Sequence, residues 1–352
     1  AIGVLLGNGF YNVVRGDRYS KLQIGFGPET LWLKMLVRYT DGSSEVISTD
    51  AAWKYDLSPI TFHSMYGGED YDARLEQYGW NLPGFDDHRW KNVVEQRAPK
   101  GRLTSQLAPP VKIMEHFGVR SSHKLTAEEV EKASVSTKRV VDPSAIMLDM
   151  GQNLAGFPEI SVKGRAGQKV TMVVAESMTA ENAANQKQTG RQHIYTYTLK
   201  GDGVETWHPR FSYYGFRYIQ LEGAVLAGEP NPDKLPVVED MRSCFIYNSA
   251  PEVSEFDCSS PVLTAAHRLI RNAERSNMQS VFTDCPHREK LGWLEQVHLN
   301  GPSLLFNYDL TAYLPKVLRD ISDSQRADGM VPSIAPQYII FQGPGMDAFA
   351  ES

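Results

Sequence analysis

The 352 residues predict two antiparallel β-sandwiches followed by the first helices of a larger α-helical unit. Three observations carry that expectation. Up to about residue 250, turn signals recur roughly every ten residues and apolar positions mostly alternate, as half-buried strands require. Two Pro-rich stretches punctuate the chain. Beyond the second, the apolar period lengthens from two to three or four, the spacing of a helix face.

The first unit is read as residues 1–106. Leu31, Leu33, Met35, Val37 and Tyr39 fall on one face of a strand, Asp41-Gly42 supplies a tight turn, and Val46-Ile47 begins the return strand. Leu107-Ala108-Pro109-Pro110 marks the join to a second unit, residues 107–248. There Thr126 to Lys132 is charged and leaves a short surface helix and a solvated loop equally open. Ile160, Val162, Gly164, Gly167, Val170, Met172 and Val174 read as strand, turn and strand, and Phe216 to Leu221 as a buried strand. The aromatic run Trp207, Phe211, Tyr213, Tyr214, Phe216 and Tyr218 is expected in a sandwich core rather than on a sugar platform.

Gly228 to Pro232 precedes the third unit, residues 249–352. Ser260 with Pro261 behind it reads as an N-cap and a first-turn proline. Val262, Ala266, Leu269, Ile270, Ala273 and Asn277 then form one face, Leu291 to Leu305 a second helix, and Tyr313, Leu314, Val317, Leu318 and Ile321 a third. Ala1 opens inside an apolar run, and Ser352 follows Asp347, Phe349 and Glu351 without a terminating pattern. The expectation is an internal segment of a longer polypeptide, with the helical unit only begun.

Composition narrows the function. Hydrophobic residues make up 41% and charged residues 22%, the balance of a globular protein. Thirty-six Lys and Arg against 42 Asp and Glu leave a net charge of −6, which argues against nucleic acid as a partner. No apolar run approaches the roughly 18–20 residues that span a bilayer. Cys244, Cys258 and Cys285 form no disulfide framework; free thiols are expected, with a Cys244–Cys258 bridge left open. His63, His88, His116, His123 and His193 show no metal spacing, so zinc is not expected. No calcium loop is evident, and calcium stays an option only because sugar-binding β-domains use it. No cofactor is expected. Gly7, Gly9 and Gly16 precede no helix and make no phosphate loop.

The densest set of reactive side chains runs from Thr283 to Glu295, between two helical stretches. It holds three carboxylates (Asp284, Glu289 and Glu295) with Arg288, His287 and Trp293. Hydrolysing a glycosidic bond uses such a mixture: a carboxylic acid protonates the leaving oxygen, polar groups hold hydroxyls, and an aromatic face stacks on the sugar ring. The bland reading pairs Glu289 with Arg288 or Lys290, makes Asp284 a helix cap or an Arg288 partner, and buries Trp293 in a core. Cys285 with His287 lacks an oxyanion-hole pattern, so a thiol nucleophile is not expected.

The run Asp284-Cys285-Pro286-His287-Arg288-Glu289, with Gly292-Trp293 after it, resembles the pattern Asp-Cys-Pro-x-Arg-Glu…Gly-Trp of the α-L-rhamnosidases of glycoside hydrolase family 78. Other stretches resemble the same family in order. Gly7 to Tyr11, Tyr39 to Ser43, Thr49 to Lys54 and Gly68 to Arg74 look like its N-terminal β-domain. Asp149 to Gly156, Trp207 to Phe211 and Tyr214 to Tyr218 look like its second. The resemblance implies a jelly-roll-like domain, a concanavalin-like sandwich and the start of an (α/α)6 six-hairpin barrel. It also implies inverting removal of terminal α-L-rhamnose from a glycoside or polysaccharide, without nucleic acid or membrane as partner. Glu289 matches the general acid, and Asp284, Arg288 and Trp293 match residues shaping the rhamnose pocket. Where many members carry Gly-Asp after the Trp, this chain has Glu295-Gln296, and Glu295 is read as a substitute hydroxyl-binding carboxylate. The general base of the family falls beyond Ser352, which keeps a non-catalytic, carbohydrate-binding role for these residues as the alternative.

Overall fold

An unusually long strand, Ile146–Lys163, organises the β-structure because its two halves recruit different neighbours. The computed structural model describes residues 1–337 except 14, 15, 17, 20–23, 98–100, 102, 190 and 191. The strand's first half lies between Ser121–Lys124 and Tyr214–Glu222, and its second half between Val237–Asn248 and Val204–Trp207. The register shifts between Asp149 and Leu154, where Gly151 takes a φ of 80° that a side chain would resist. Such a bulge bends the strand and lets one sheet change direction.

The resulting eleven-stranded sheet runs from Val225–Leu226 through Val237–Asn248, Ile146–Lys163, Tyr214–Glu222, Lys169–Ala175, Ile194–Thr198 and Gly68–Asp72 to Ile60–Ser64. Its folding over is visible in Trp207. Along the ladder, the strand of Trp207 is four steps from that of Tyr197, about 19 Å in a flat sheet. The two rings nonetheless lie 5.4 Å apart, and Tyr71 is 5.9 Å from the same indole. The sheet is therefore doubled around its core, which includes Leu148, Leu154, Ile160, Met172, Tyr195, Trp207, Tyr213, Tyr214, Phe216 and Phe245. Most of the aromatic run expected in a core is there; Tyr218 packs on a second cluster, and Phe211 lies 5.7 Å from His63.

The expected first sandwich is not formed among the described residues. The hairpin of Lys34–Arg38 and Ser44–Ser48 is present, its turn held by Asp41 Oδ1 accepting from the Ser43 N–H at 2.8 Å with Gly42 at φ 88°. It remains two-stranded, and Met35, Leu36 and Val46 stay exposed because no second sheet covers them. Strands 60–64 and 68–72, which the sequence places in the first unit, instead extend the large sheet, Gly68–Asp72 running parallel to Ile194–Thr198.

Helix α1, Ala127–Thr137, occupies the segment where helix and loop were equally open. A reciprocal capping box decides it: the Thr126 hydroxyl accepts from the Glu129 N–H at 3.2 Å, and Glu129 accepts from the Thr126 N–H at 2.7 Å. The other helices are α2, Pro261–Asn277, α3, Leu294–Asn307, and α4, Tyr313–Ser324. Ser260 stands at the N-cap of α2, but its hydroxyl makes no cap bond. The apolar face of α2 is exposed: Val262 is 74% and Leu269 70% accessible. Its buried contact with α3 is polar instead, Glu274 accepting from Ser303 at 2.5 Å and from Asn307 at 2.8 Å. An apolar stripe needs a partner surface, and none covers this one among the described residues. Asp347, Phe349 and Glu351 lie outside the described residues. Among those described, no helix is long and apolar enough to cross a membrane.

Loss of the cap in Thr126→Ala is expected to cost about 1 kcal/mol in urea denaturation. Hydrogen bonds from the Thr126 N–H, then from Asn182 and His123, hold the Glu129 carboxyl down to about 2, below its ordinary 4.5. A depressed carboxyl stabilises fully above 4.5 and loses that contribution as pH falls through about 2. Glu129→Gln should flatten this part of the acid-denaturation profile; an unchanged profile would contradict the assignment.

Candidate active site

Between α2 and α3 the chain runs through a loop whose residues divide cleanly between those that anchor it and those it displays. Asp284 closes the loop on itself. Its N–H donates to the Leu291 carbonyl at 3.1 Å, and its Oδ1 accepts from the Leu291 N–H at 3.1 Å. It is not the cap of α3, whose N-cap position is Trp293. Burial pushes the Asp284 carboxyl up; hydrogen bonds with Leu291 and Cys285 oppose this, and the neighbouring Glu289 charge adds to it. Gly292 is required by a close approach, since a Cβ there would sit 2.4 Å from the Ala335 carbonyl oxygen. The Ala335 N–H donates to Gly292 at 3.0 Å and the Leu294 N–H to Ser333 at 2.9 Å.

The loop also seats on the large sheet. Pro286 rests over Gly215, where a Cβ would come within 2.6 Å of the Pro286 ring. His287 Nε2 lies 3.4 Å from Glu176 Oε2, and its Nδ1 accepts from the Arg288 N–H at 2.8 Å.

Lys290 is the deepest anchor. It is fully buried with a left-handed φ of 54°. Its Nζ donates to the Met65 carbonyl at 2.5 Å and to the Tyr213 carbonyl, and stands 4.3 Å from the centre of the Tyr213 ring. The Tyr66 and Tyr214 rings lie at 5.6 and 5.8 Å. Burial pushes the Lys290 pKa down to about 7, against the opposing influence of Cys285. Lys290 is thus not the partner of Glu289 that the bland reading allowed.

Glu289 turns the other way. Trp293 Nε1–H donates to its Oε2 at 3.1 Å, Arg288 Nε lies 3.8 Å from its Oε1, and its side chain is 20% accessible. The Tyr66 hydroxyl fixes the main chain by donating to the Glu289 carbonyl at 2.6 Å. Tyr66 in turn stacks on Tyr19, the ring centres 4.2 Å apart. Arg288 is exposed, pairs with Glu289 rather than Asp284, and donates to the Gln188 carbonyl at 3.2 Å. The structure therefore brings Asp284, Arg288, Glu289 and Trp293 together. Glu295 stands apart, exposed on the first turn of α3, where it accepts from Gln296 at 3.3 Å. All three cysteines are free thiols.

Matches to known proteins agree along most of the chain. Residues 1–115 match the α-L-rhamnosidase N-terminal domain, 139–246 the bacterial α-L-rhamnosidase concanavalin-like domain, and 251–349 the bacterial α-L-rhamnosidase six-hairpin glycosidase domain. The chain belongs to the bacterial α-L-rhamnosidase family. It is 29% identical over 330 residues to an α-L-rhamnosidase of Formosa agariphila, covering 91% of this chain and 32% of that protein. Among solved structures it is similar to the α-L-rhamnosidase of Dictyoglumus thermophilum, with a TM-score of 0.80 and 31% identity over 92% of this chain and 34% of that one. It is also similar to the Streptomyces avermitilis α-L-rhamnosidase complexed with L-rhamnose, with a TM-score of 0.75 and 31% identity over 93% and 30% of the two chains. The chain spans about a third of the length of these relatives.

In this α-L-rhamnosidase frame, Lys290 belongs to the glycosidase segment, Met65 to the N-terminal segment and Tyr213 to the concanavalin-like segment. One ammonium fastens all three. Sequence reading missed it, and missed Glu176 and Gly215. A glycine inside a strand (Tyr214-Gly215-Phe216) is the one local signal of a close approach that was there to be used.

Lys290→Ala leaves two carbonyls without their buried donor and should lower stability by about 3 kcal/mol in urea denaturation. Limited proteolysis should find new cleavage between residues 284 and 293. A change below about 0.5 kcal/mol, the range of ordinary surface substitutions, would show that the ammonium does not hold the loop.

Proposed function

We propose that the protein carrying this chain removes terminal α-L-rhamnose from rhamnosides by single displacement, with Glu289 as the general acid. Helices α2 to α4 are read as opening hairpins of an (α/α)6 barrel. One observation carries the assignment to Glu289: its carboxyl, partly accessible, is held by the Trp293 indole N–H at 3.1 Å on a loop anchored from three sides.

In this reaction Glu289 gives its proton to the bridging oxygen while the bond from that oxygen to the anomeric carbon breaks. A water on the opposite face of the sugar attacks, losing its proton to a second carboxylate roughly 6.5–9.5 Å from the first. Trp293 donates its N–H to Glu289, and we assign it to the rhamnose pocket. We assign Asp284 to holding the loop and the sugar pocket and Arg288 to hydroxyl contacts. The substrate class, an α-L-rhamnose-bearing glycoside or polysaccharide, is supported by the relatives named α-L-rhamnosidase and by the one solved with L-rhamnose.

A second reading, sugar binding without turnover, applies to these residues by themselves. Calorimetry of the 352-residue chain with L-rhamnose tests it; absence of binding heat would remove it.

In the protein carrying this chain, Glu289→Gln should lower kcat on alkyl rhamnosides about 10²–10⁴-fold, the usual worth of general acid catalysis. The loss should shrink for dinitrophenyl rhamnosides, whose leaving group needs little protonation. Near-normal turnover of the alkyl substrates would overturn the assignment.

A further inference from the structure

On the outer face of the large sheet, three side chains of different donor chemistry converge. We propose that His116, Glu159 and Cys244 form a site for a zinc-class divalent metal ion. Strand register puts them there. Cys244 lies directly opposite His116 on the neighbouring strand Val111–Gly118, and opposite Phe157 on the other side. Glu159 lies two residues beyond Phe157, paired with Arg242, so alternation places it on the face of Cys244. Ile160, Met241 and Phe245 take the opposite face, into the core.

The imidazole nitrogen, the carboxylate oxygen and the thiol sulfur all lie within 4.8 Å of one another. Ligand atoms on a tetrahedral zinc are about 3.3–3.6 Å apart, given bonds near 2.0 Å to nitrogen and oxygen and 2.3 Å to sulfur. Closing the set takes shifts of about an ångström, within side-chain rotation. Cys244 is buried, Glu159 half-buried and His116 exposed, and three protein ligands would leave a fourth tetrahedral position for water. Arg242 braces the carboxylate from outside, 3.3 Å from Glu159 and 2.9 Å from Asp240. Binding replaces the Cys244 S–H proton by the metal and releases that proton to water. A sulfur–nitrogen–oxygen set suits zinc or cobalt and excludes calcium and magnesium, which take oxygen.

Val111–Gly118 pairs with a single strand among the described residues. An ion joining His116 to Cys244 and Glu159 would staple that edge strand across two neighbours.

The test is a titration of the metal-free chain with cobalt(II). One equivalent should produce a thiolate-to-cobalt charge-transfer band in the near ultraviolet, displaced by zinc. His116→Ala, on an exposed position, and Glu159→Gln should each weaken binding at least about tenfold, and Cys244→Ala should abolish the band. Cys258→Ala and Cys285→Ala should leave it intact. Zinc should raise the melting temperature of the unaltered chain and leave that of His116→Ala unmoved. Absence of the band, its survival in Cys244→Ala, or its persistence unchanged in His116→Ala would overturn the proposal.

Discussion

A buried ammonium between two main-chain carbonyls is the constraint on which the loop from Asp284 to Trp293 depends. Lys290 cannot be withdrawn without leaving the Met65 and Tyr213 oxygens without it as a donor, and neither oxygen can be supplied without its own part of the chain in place. Lys290 itself has left-handed backbone, with φ 54°. Lys290 points inward and Glu289 outward toward Trp293. The displayed carboxyl is therefore positioned by a residue adjacent in sequence that never approaches a substrate.

The same logic extends to the sheet. Gly215 lets Pro286 lie on the strand surface, and Glu176 takes the His287 N–H, so the loop is docked by shape and by a polar contact at once. Beneath this lies the doubled sheet, whose bend at Gly151 and whose Trp207–Tyr197 contact bring distant strands together. Rigid β-structure carrying a reactive loop is a common division of labour. Here the loop belongs to the glycosidase segment while its support comes from the two preceding segments. The exposed stripe on α2 lies outside this arrangement and contributes nothing to the loop's support.

Local patterns read well where a short stretch determines its own structure. The Asp41-Gly42 hairpin and the helices α2 and α4 appear as their residues indicated, whereas α3 begins at Leu294 rather than Leu291 and Phe211 leaves the core that takes the rest of the run from Trp207 to Phe216. Helix α1 was legible in Thr126-x-x-Glu129, a capping box that charge alone obscured. What failed depended on partners. The first unit lacks a covering sheet, its strands 60–72 join another unit, and the apolar face of α2 meets no second surface among the described residues.

For the candidate site, the sequence by itself determined which groups occur within a dozen residues, and its motif named Glu289 among them. Only the tertiary structure decided that Arg288 rather than Lys290 faces that carboxyl, that Asp284 ties a loop instead of capping a helix, and that Glu295 stands apart. It alone brought His116, Glu159 and Cys244 together. The physical reason is the same in each case. Capping and turn formation act over a few residues, whereas strand register and burial set the direction of a side chain through neighbours that may be a hundred or more residues away in the chain.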